Sequence, residues 1–277
     1  MKKHIIFKII NTILVTAIIL FLISPFFIMI STSIKSYTDV TLWPPKWIPD
    51  TVHFENFKDV LIGDNNIKTP LINSIIVSSS TMILCVIIGS FAAYGVSRFN
   101  FKGKKMFLFL VIMTQMFSPV ILIGPMYQIM RDLNLLNTYV ALIIPNTAFA
   151  LPMTVWLLYG YLEGISKNLE EAAMIDGCTR RQAVTKILMP LLAPGIITSG
   201  LFAFITSWND LLYAQTFITK PEFKTISVAL TSYQSLFETY WHKMMASSLI
   251  SVLPVFILFL FIQKYLVKGL TAGGVKE

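Results

Sequence analysis

The chain has 277 residues, of which 55% are hydrophobic and 13% are charged, and its formal net charge is +8. Soluble globular proteins carry about twice that share of charged residues, so this composition excludes an ordinary soluble domain and indicates a membrane protein. The two cysteines also exclude a disulfide-rich secreted scaffold.

Six apolar segments are each long enough to cross a bilayer once, since about 20 apolar residues span the hydrocarbon layer. We therefore predict an all-α membrane protein in which residues 1–277 form a single transmembrane domain. The predicted helices occupy approximately 9–33, 71–97, 106–130, 138–162, 191–217 and 244–266. These helices leave an outer loop at 35–70, a central loop at 163–190 and a tail at 268–277.

The distribution of charge predicts the orientation of the chain. If the segments alternate across the membrane, one side holds 14 basic residues against five acidic ones, and the other side holds eight of each. Basic residues favour the cytoplasmic side, so both termini are expected in the cytoplasm. The positive charge is explained in this way by membrane topology, and no nucleic-acid partner is expected.

The outer loop carries Trp43 and Trp47, followed by Phe54, Phe57 and Val60 at roughly helical spacing. Tryptophans at this position fit the membrane interface, and the second series fits a short helix that lies on the membrane surface. The loop is either part of a landing surface for an external partner or a simple interfacial anchor.

The second, third and fourth predicted helices contain small residues and prolines. Small side chains suit close helix packing in lipid, and the second helix has them at Gly89, Ala92, Ala93 and Gly95. Two prolines in each of the next two helices predict kinks around a polar path. These prolines are Pro119, Pro125, Pro145 and Pro152.

The central loop contains two helix signals in succession. Asn168 and Glu171 have the spacing of a capping box, and Gly177 stands where a helix end requires a left-handed residue. Thr179 and Gln182 then predict the start of a second helix, with an apolar stripe at helical spacing. That stripe comprises Ala183, Val184, Ile187, Leu188 and Leu191.

The first of these helices has the composition of a docking surface for another protein. Ala172 and Ala173 allow close approach, and Glu170 and Glu171 offer charge in the first turn. The alternative is an ordinary loop between two membrane helices.

The fifth predicted helix carries the triplet Trp208, Asn209 and Asp210. Asp210 lies 16 residues beyond Pro194, or roughly 24 Å along a helix, and therefore toward the outer side. It is either a helix end that reaches interfacial water or a functional carboxylate within the membrane.

Several of these motifs resemble a known family. Glu171-Ala172-Ala173, followed by Gly177, Ile187 and Pro190, resembles the EAA loop of ABC importer permeases. Asn73-Ser74 and the ending of the second helix resemble that family's second conserved region. The triplet at 208–210 is similar to a signature of its sugar permeases, and the Gly-rich basic tail at 269–276 resembles the ending of its MalG-like branch.

The resemblance implies a type I ABC importer permease fold, in which the central loop forms a coupling helix between helices 4 and 5. It assigns ATPase coupling to Glu170, Glu171, Ala172, Ala173, Asp176, Gly177, Ile187 and Pro190. It places Asn73, Trp208, Asn209 and Asp210 on a translocation path through the membrane. Direct contact between the triplet at 208–210 and a sugar is a hypothesis.

The implied function is that of a non-catalytic transmembrane subunit of an ATP-driven sugar importer in a bacterial cell membrane. The implied partners are a companion MalF-like permease, a dimer of ATP-binding subunits, an extracellular solute-binding protein, membrane lipid and a sugar, with an oligosaccharide favoured. The chain has no G-x-x-x-x-G-K-[ST] motif, and its three histidines have no metal-ligand spacing, so no cofactor or metal is expected in it. ATP and magnesium would be used by the partner ATPase.

Two alternatives remain open from the sequence. An ion-coupled secondary transporter would need ionisable residues within the membrane, and Asp210 is the one candidate in the predicted helices. An ABC permease for a non-sugar solute, such as a polyol phosphate, is the other.

Overall fold

The protein is described by a computed structural model that covers residues 2–63 and 66–272. The last part of the predicted tail, 273–277, lies outside the described residues. Within them the regular structure is helical, and β-pairing is confined to an isolated bridge between Gln234 and Thr239. The all-α prediction is confirmed.

The helices are numbered in chain order. They are α1 Lys2–Ser33, α2 Tyr37–Thr41, α3 Glu55–Ile62, α4 Lys68–Arg98, α5 Lys104–Met113, α6 Pro119–Asp132, α7 Val140–Glu163, α8 Asn168–Ile175, α9 Arg180–Ala183, α10 Met189–Trp208, α11 Leu212–Phe217, α12 Ile226–Thr231 and α13 Trp241–Ala272. Short 3₁₀ turns occur at Thr114–Met116 and Pro221–Phe223, and a π-helical segment at Val184–Leu188 joins α9 to α10.

The chain separates into two compact units. The first comprises Met1–Lys68 and Ala229–Leu253, and the second comprises Thr69–Val228 and Pro254–Glu277. Both helices of the central loop lie in the second unit.

Among the described residues, five helices are long and apolar enough to cross a membrane. The pair Lys104–Met116 and Pro119–Asp132 passes the same test together, and it would make a sixth span. In α1, the candidate span Phe7–Ser33 contains a long apolar stretch in which no residue is buried. Apolar side chains exposed all around a helix require lipid or another subunit around them.

The predicted third helix is broken instead of kinked. Its two halves meet at 94°, with Phe117 and Ser118 in extended conformations between them. Pro119 has no N–H group to continue the preceding helix, and it restricts the residue before it to extended backbone. Proline at the first position of α6 is compatible with a new helix, so the chain turns sharply there.

Small residues bring α4, α7 and α10 together. A Cβ atom at Gly89 would lie 2.9 Å from Thr154 Cγ2, and one at Gly200 would lie 3.1 Å from Val86 Cγ2. Ala93 in α4 is fully buried. The prediction of close packing is confirmed at Gly89 and Ala93, but not at Gly95, whose Cβ would meet no atom within 4 Å.

The short helix predicted in the outer loop is α3, but it is fixed within the first unit. Val60 is buried, and the Asn56 amide donates hydrogen bonds of 2.9 Å to the carbonyls of Ser33 and Lys35. Phe54 precedes the helix and is exposed. One face of α3 therefore packs on protein, which the aromatic spacing did not reveal.

We predict that Gly195→Ala destabilises the detergent-solubilised protein. The new Cβ would lie 2.7 Å from Tyr161 Cγ and 2.9 Å from Tyr161 Cβ, atoms near the backbone that cannot swing away. Overpacking of this kind costs about 1–3 kcal/mol, so the midpoint of thermal unfolding should fall. Gly160→Ala is the matched control, because a Cβ there meets no atom within 4 Å. Equal midpoints for the two variants would contradict the close contact between α7 and α10.

Candidate functional site

The helix at the centre of the candidate site, α8, begins differently from the prediction. Its N-cap is Lys167, which has helical backbone angles, and no side chain caps the helix. The backbone N–H of Asn168 instead donates to Ser166 Oγ at 3.3 Å. The predicted capping box of Asn168 and Glu171 is therefore wrong, because the chain already has helical backbone angles at Lys167, one residue earlier.

The end of α8 is as predicted. Gly177 has a φ of +88°, the left-handed conformation that favours glycine. The N–H of Cys178 donates to the Ala173 carbonyl at 3.0 Å, and the N–H of Gly177 donates to the Met174 carbonyl at 3.1 Å. These two bonds form a Schellman motif, which satisfies the last carbonyls of the helix.

The second helix of the central loop begins with the predicted capping box. Gln182 N–H donates to Thr179 Oγ1 at 3.3 Å, and Thr179 N–H donates to Gln182 Oε1 at 2.8 Å. The turn between the two helices is therefore closed by hydrogen bonds on both sides.

The predicted apolar stripe is displaced by one residue at its end. Ala183 and Leu188 are buried, but Leu191 is half exposed and Leu192 is buried in its place. The π-helical segment Val184–Leu188 inserts one extra residue into a helical turn. The side chains that follow are therefore rotated about the helix axis. The stripe continues at Leu192, and Leu191 faces outward.

A buried ion pair fixes α8 to the membrane helices. Arg98 Nε lies 2.5 Å from Glu170 Oε1, and the two side chains are only 3% and 8% exposed. The Tyr94 hydroxyl donates to Glu170 Oε2 at 3.1 Å. The prediction that both glutamates offer surface charge is wrong for Glu170, because its carboxylate is used within the chain.

Arg98 also holds the end of α7. Its Nη1 donates to the Leu162 carbonyl at 3.1 Å, and its Nη2 donates to the Ile165 carbonyl at 3.2 Å. A guanidinium has five N–H donors in a planar fork, so one side chain can bind both a carboxylate and two helix-end carbonyls. The ends of α4, α7 and α8 are thereby joined through a single residue.

The outward face of α8 is exposed and partly apolar. Glu171 and Ala172 are exposed, Ile175 is 86% exposed, and Asp176 follows them at the surface, while Ala173 is buried beneath them. Of the other residues assigned to coupling, Ile187 is half buried in the π-helical segment, and Pro190 is exposed in the first turn of α10. An exposed isoleucine beside small and acidic side chains is suited to contact with another protein.

The triplet at 208–210 forms the junction between α10 and α11. Trp208 is buried and stacks on Phe204 with ring centroids 5.6 Å apart, while Asn209 is exposed. Asp210 Oδ1 accepts the N–H of Tyr213 at 3.1 Å, and its Oδ2 accepts Asn146 Nδ2 at 3.2 Å. Asp210 therefore binds the first turn of α11, and the three side chains of the triplet do not share one open surface.

Asn73 is buried and its side chain makes three hydrogen bonds. Its amide donates to the carbonyls of Glu222 and Lys224 at 2.8 and 2.9 Å, and its Oδ1 accepts the Tyr139 hydroxyl at 2.8 Å. This residue joins α4 to the segment after α11.

Sequence reasoning missed the partners that position these residues. Arg98, Tyr94, Asn146 and Tyr139 lie 64 to 76 residues from the groups that they contact. Local patterns carry no signal for such distant pairs. Among the residues that the structure describes, no cluster of His, Cys, Asp or Glu side chains could hold a metal ion.

We predict that Glu170→Gln destabilises the protein by about 3–5 kcal/mol, because it leaves Arg98 buried without a counter-ion. The measurement is thermal or denaturant unfolding of the solubilised protein. Glu171→Gln is the matched control, since that side chain is exposed and its loss should cost within about 0.5 kcal/mol. Similar losses for both variants would show that the ion pair with Arg98 contributes no special stability.

Comparison with known proteins identifies the family. Residues 85–272 match the family described as "Binding-protein-dependent transport system inner membrane component". The chain is 38% identical over 271 residues to the trehalose/maltose transport system permease protein MalG of Thermococcus litoralis, covering 97% of this chain and 95% of that one. It is 36% identical to the diacetylchitobiose uptake system permease protein DasC of Streptomyces coelicolor, with 95% of each chain covered.

A solved structure agrees with these sequence relatives. The fold matches a chain of a bacterial ABC transporter involved in the import of the acidic polysaccharide alginate. The TM-score is 0.79 with 25% sequence identity, and the match covers 96% of this chain and 98% of that one. The chain therefore belongs to the binding-protein-dependent transport system inner membrane component family, as a multi-pass, non-catalytic permease subunit of an ABC transporter.

Proposed function

We propose that this chain is one of two permease subunits of an ATP-driven importer, and that its cargo is a sugar, most simply an oligosaccharide. The family is defined by its dependence on a binding protein, which supports delivery by an extracellular solute-binding protein. The relatives named above are described for trehalose and maltose, for diacetylchitobiose and for alginate. These cargoes favour a sugar over a polyol phosphate. Membership of an ABC transporter family favours ATP-driven transport over the alternative of an ion-coupled secondary transporter.

In the proposed topology, both termini and the central loop lie in the cytoplasm. The broken pair α5 and α6 then counts as one span, which gives six spans and keeps the strongly basic segments on one side. The apolar surface of α1 would be covered by lipid and by the companion permease.

The observation that carries the coupling role is the buried pair between Arg98 and Glu170. A surface helix that is joined by ion pair and hydrogen bonds to the ends of α4 and α7 cannot move independently of them. When the partner ATPase dimer closes on ATP and magnesium, a push on α8 would be transmitted to the spans, and the cavity would alternate between inward and outward openings.

The exposed face of α8 would be the surface that contacts the ATPase. Ala172 allows close approach, Ile175 offers an apolar anchor, and Glu171 offers charge at the helix N-terminus. Glu170 contributes by holding the helix in place, and Gly177 by permitting the tight turn that follows.

The side of the membrane on which the central loop lies can be tested by thiol labelling. We expect a membrane-impermeant maleimide to label Glu171→Cys, in a Cys178→Ser background, in inverted vesicles and not in intact cells. Cys85 is buried and serves as an internal unlabelled thiol. Labelling in intact cells would place α8 outside the cell and would remove the basis for coupling to a cytoplasmic ATPase.

The docking role of α8 predicts the effect of a bulky substitution. Ala172→Trp should reduce co-purification of the ATPase and ATP-dependent sugar uptake at least about 10-fold, which corresponds to about 1.4 kcal/mol of lost interaction. The substitution is at an exposed position, so the permease itself should fold normally.

Asp132→Trp is the control, because it adds the same side chain at an exposed position on the opposite side in the proposed topology. It should leave ATPase co-purification unchanged. Full ATPase binding by the Ala172→Trp variant would exclude the outward face of α8 as the docking surface.

A further inference from the structure

A large groove lies in the second unit, between α4 and the helical run formed by α9, the π-helical segment and α10. Its volume is about 590 Å³, which is within the range of roughly 300–1,000 Å³ for pockets that hold small ligands. Its walls are mostly apolar, with Val86, Ile87 and Phe91 on the α4 side and Val184, Leu192 and Ile196 on the opposite side.

The α4 wall of the groove is open to the surroundings of the protein. Ile87 is 50% exposed and Phe91 is 75% exposed. Large apolar side chains exposed on a membrane span require an apolar neighbour, which is a lipid chain or a helix of another subunit.

The polar side chains along the groove are not available to a polar cargo. The Tyr94 hydroxyl donates to Glu170, and the Thr185 hydroxyl donates to the Arg181 carbonyl at 2.8 Å. The Ser90 hydroxyl is buried, so it offers no surface to the groove. A sugar ring needs several free donors and acceptors around it, and this groove is therefore unsuited to a sugar.

Positive charge is concentrated at one end of the groove. Arg180 and Arg181 line that end, and both residues are exposed. Within the described part of the chain, neither forms an ion pair with a carboxylate. Arg180 Cζ lies 4.8 Å from the centroid of the Phe99 ring, a cation–π contact that holds this guanidinium at the rim of the groove. Two unpaired cations beside an apolar surface match an anionic group that is attached to an apolar body.

The length of the groove is close to the thickness of one bilayer leaflet. Arg180 contacts Phe99 at one end, and at the other end Val86 Cγ2 lies 3.1 Å from the position of a Cβ at Gly200. Val86 precedes Arg98, the last residue of α4, by 12 residues, or roughly 18 Å at the helical rise. Half of the hydrocarbon layer is about 15 Å thick. In the proposed topology, the arginines lie at the cytoplasmic surface and the apolar walls reach to about the middle of the bilayer.

The distribution of charge decides between a lipid and a helix of the companion permease. A transmembrane helix could fill the apolar part, but helix ends at the cytoplasmic surface are enriched in basic residues, which would repel Arg180 and Arg181. Anionic phospholipids occur in the cytoplasmic leaflet, and they carry their phosphate directly above the acyl chains. Such a lipid matches both the apolar walls and the cationic end.

We propose that this groove binds an anionic phospholipid of the cytoplasmic leaflet, with an acyl chain between α4 and α10 and the phosphate at Arg180 and Arg181. The proposal rests on the proposed function only for the side of the membrane that the arginines face. Because Val184, Thr185 and Leu188 line the groove, the lipid contacts the π-helical segment through which the central loop joins α10.

The test is native mass spectrometry of the full-length chain in detergent, with an equimolar mixture of phosphatidylglycerol and phosphatidylcholine that have identical acyl chains. The wild type should retain phosphatidylglycerol with a preference of at least about 5-fold, the effect of one basic residue near an anionic headgroup. Arg180→Gln combined with Arg181→Gln should abolish this preference. Ile87→Trp places a bulky side chain in the groove and should lower the lipid-bound fraction at least about 5-fold.

Lys102→Gln combined with Lys105→Gln is the matched control. It removes the same charge from exposed positions on the same side of the membrane in the proposed topology, and neither residue lines the groove. This variant should keep the preference of the wild type. All the substituted side chains are exposed, so the variants should fold normally.

Three results would overturn the proposal. The first is a wild type without headgroup preference, or an equal loss of preference in the lysine variant, which would show a general attraction to basic surface. The second is equal retention of both lipids that Ile87→Trp abolishes, which would show an acyl-chain site without headgroup recognition. The third is unchanged lipid retention by Ile87→Trp together with lost co-purification of the companion permease, which would make the groove a subunit interface.

The outcome is distinguishable from a failure of the proposed function. Lipid retention is measured on solubilised protein, so it depends neither on the cargo nor on the orientation of the chain. Labelling of Glu171→Cys in intact cells would overturn the proposed topology and leave a phosphatidylglycerol preference unchanged.

Discussion

The ion pair between Arg98 and Glu170 is the contact on which the arrangement of the central loop depends. Two charges removed from water are stable only when hydrogen bonds compensate for the lost solvation. Arg98 donates to the Glu170 carboxylate and to the carbonyls of Leu162 and Ile165, and the Tyr94 hydroxyl donates to the second carboxylate oxygen of Glu170. The central loop is in this way tied to the ends of α4 and α7, although most of its residues are exposed.

The same rule governs the polar residues within the spans. A broken helix leaves backbone groups without partners, and lipid cannot supply them. At the break in the third span, Gln115 pairs with a carbonyl of α7, and at the end of α10, Asp210 accepts from the first turn of α11. The Asn73 amide likewise donates to two backbone carbonyls in the segment after α11. Asn73 and Asp210, which the resemblance assigns to a translocation path, thus bind backbone groups.

This division explains how far the sequence could predict the structure. Gly177 and the pair of Thr179 and Gln182 were predicted correctly because their geometry depends on neighbours within a few residues. The burial of Glu170 could not be predicted, since its partner lies 72 residues away. The exposure of Leu191 was not predicted for a different reason. A π turn adds one residue to the helix without any change in the hydrophobic pattern of the sequence. Local signals specify caps and turns, and distant pairs decide which face is buried.

The central loop and the junction at 208–210 are connected by one helical run, which comprises α9, the π-helical segment and α10. Arg180–Trp208 comprises 29 residues, or roughly 43 Å at the helical rise, and Asp210 at its far end positions Tyr213. A displacement of α8 that tilts this helix therefore changes the junction that sets Tyr213. The π-helical segment and Pro194 are the places where such a helix bends most easily. In the proposed function, force from the ATPase on α8 would reach the junction at 208–210 through this helix.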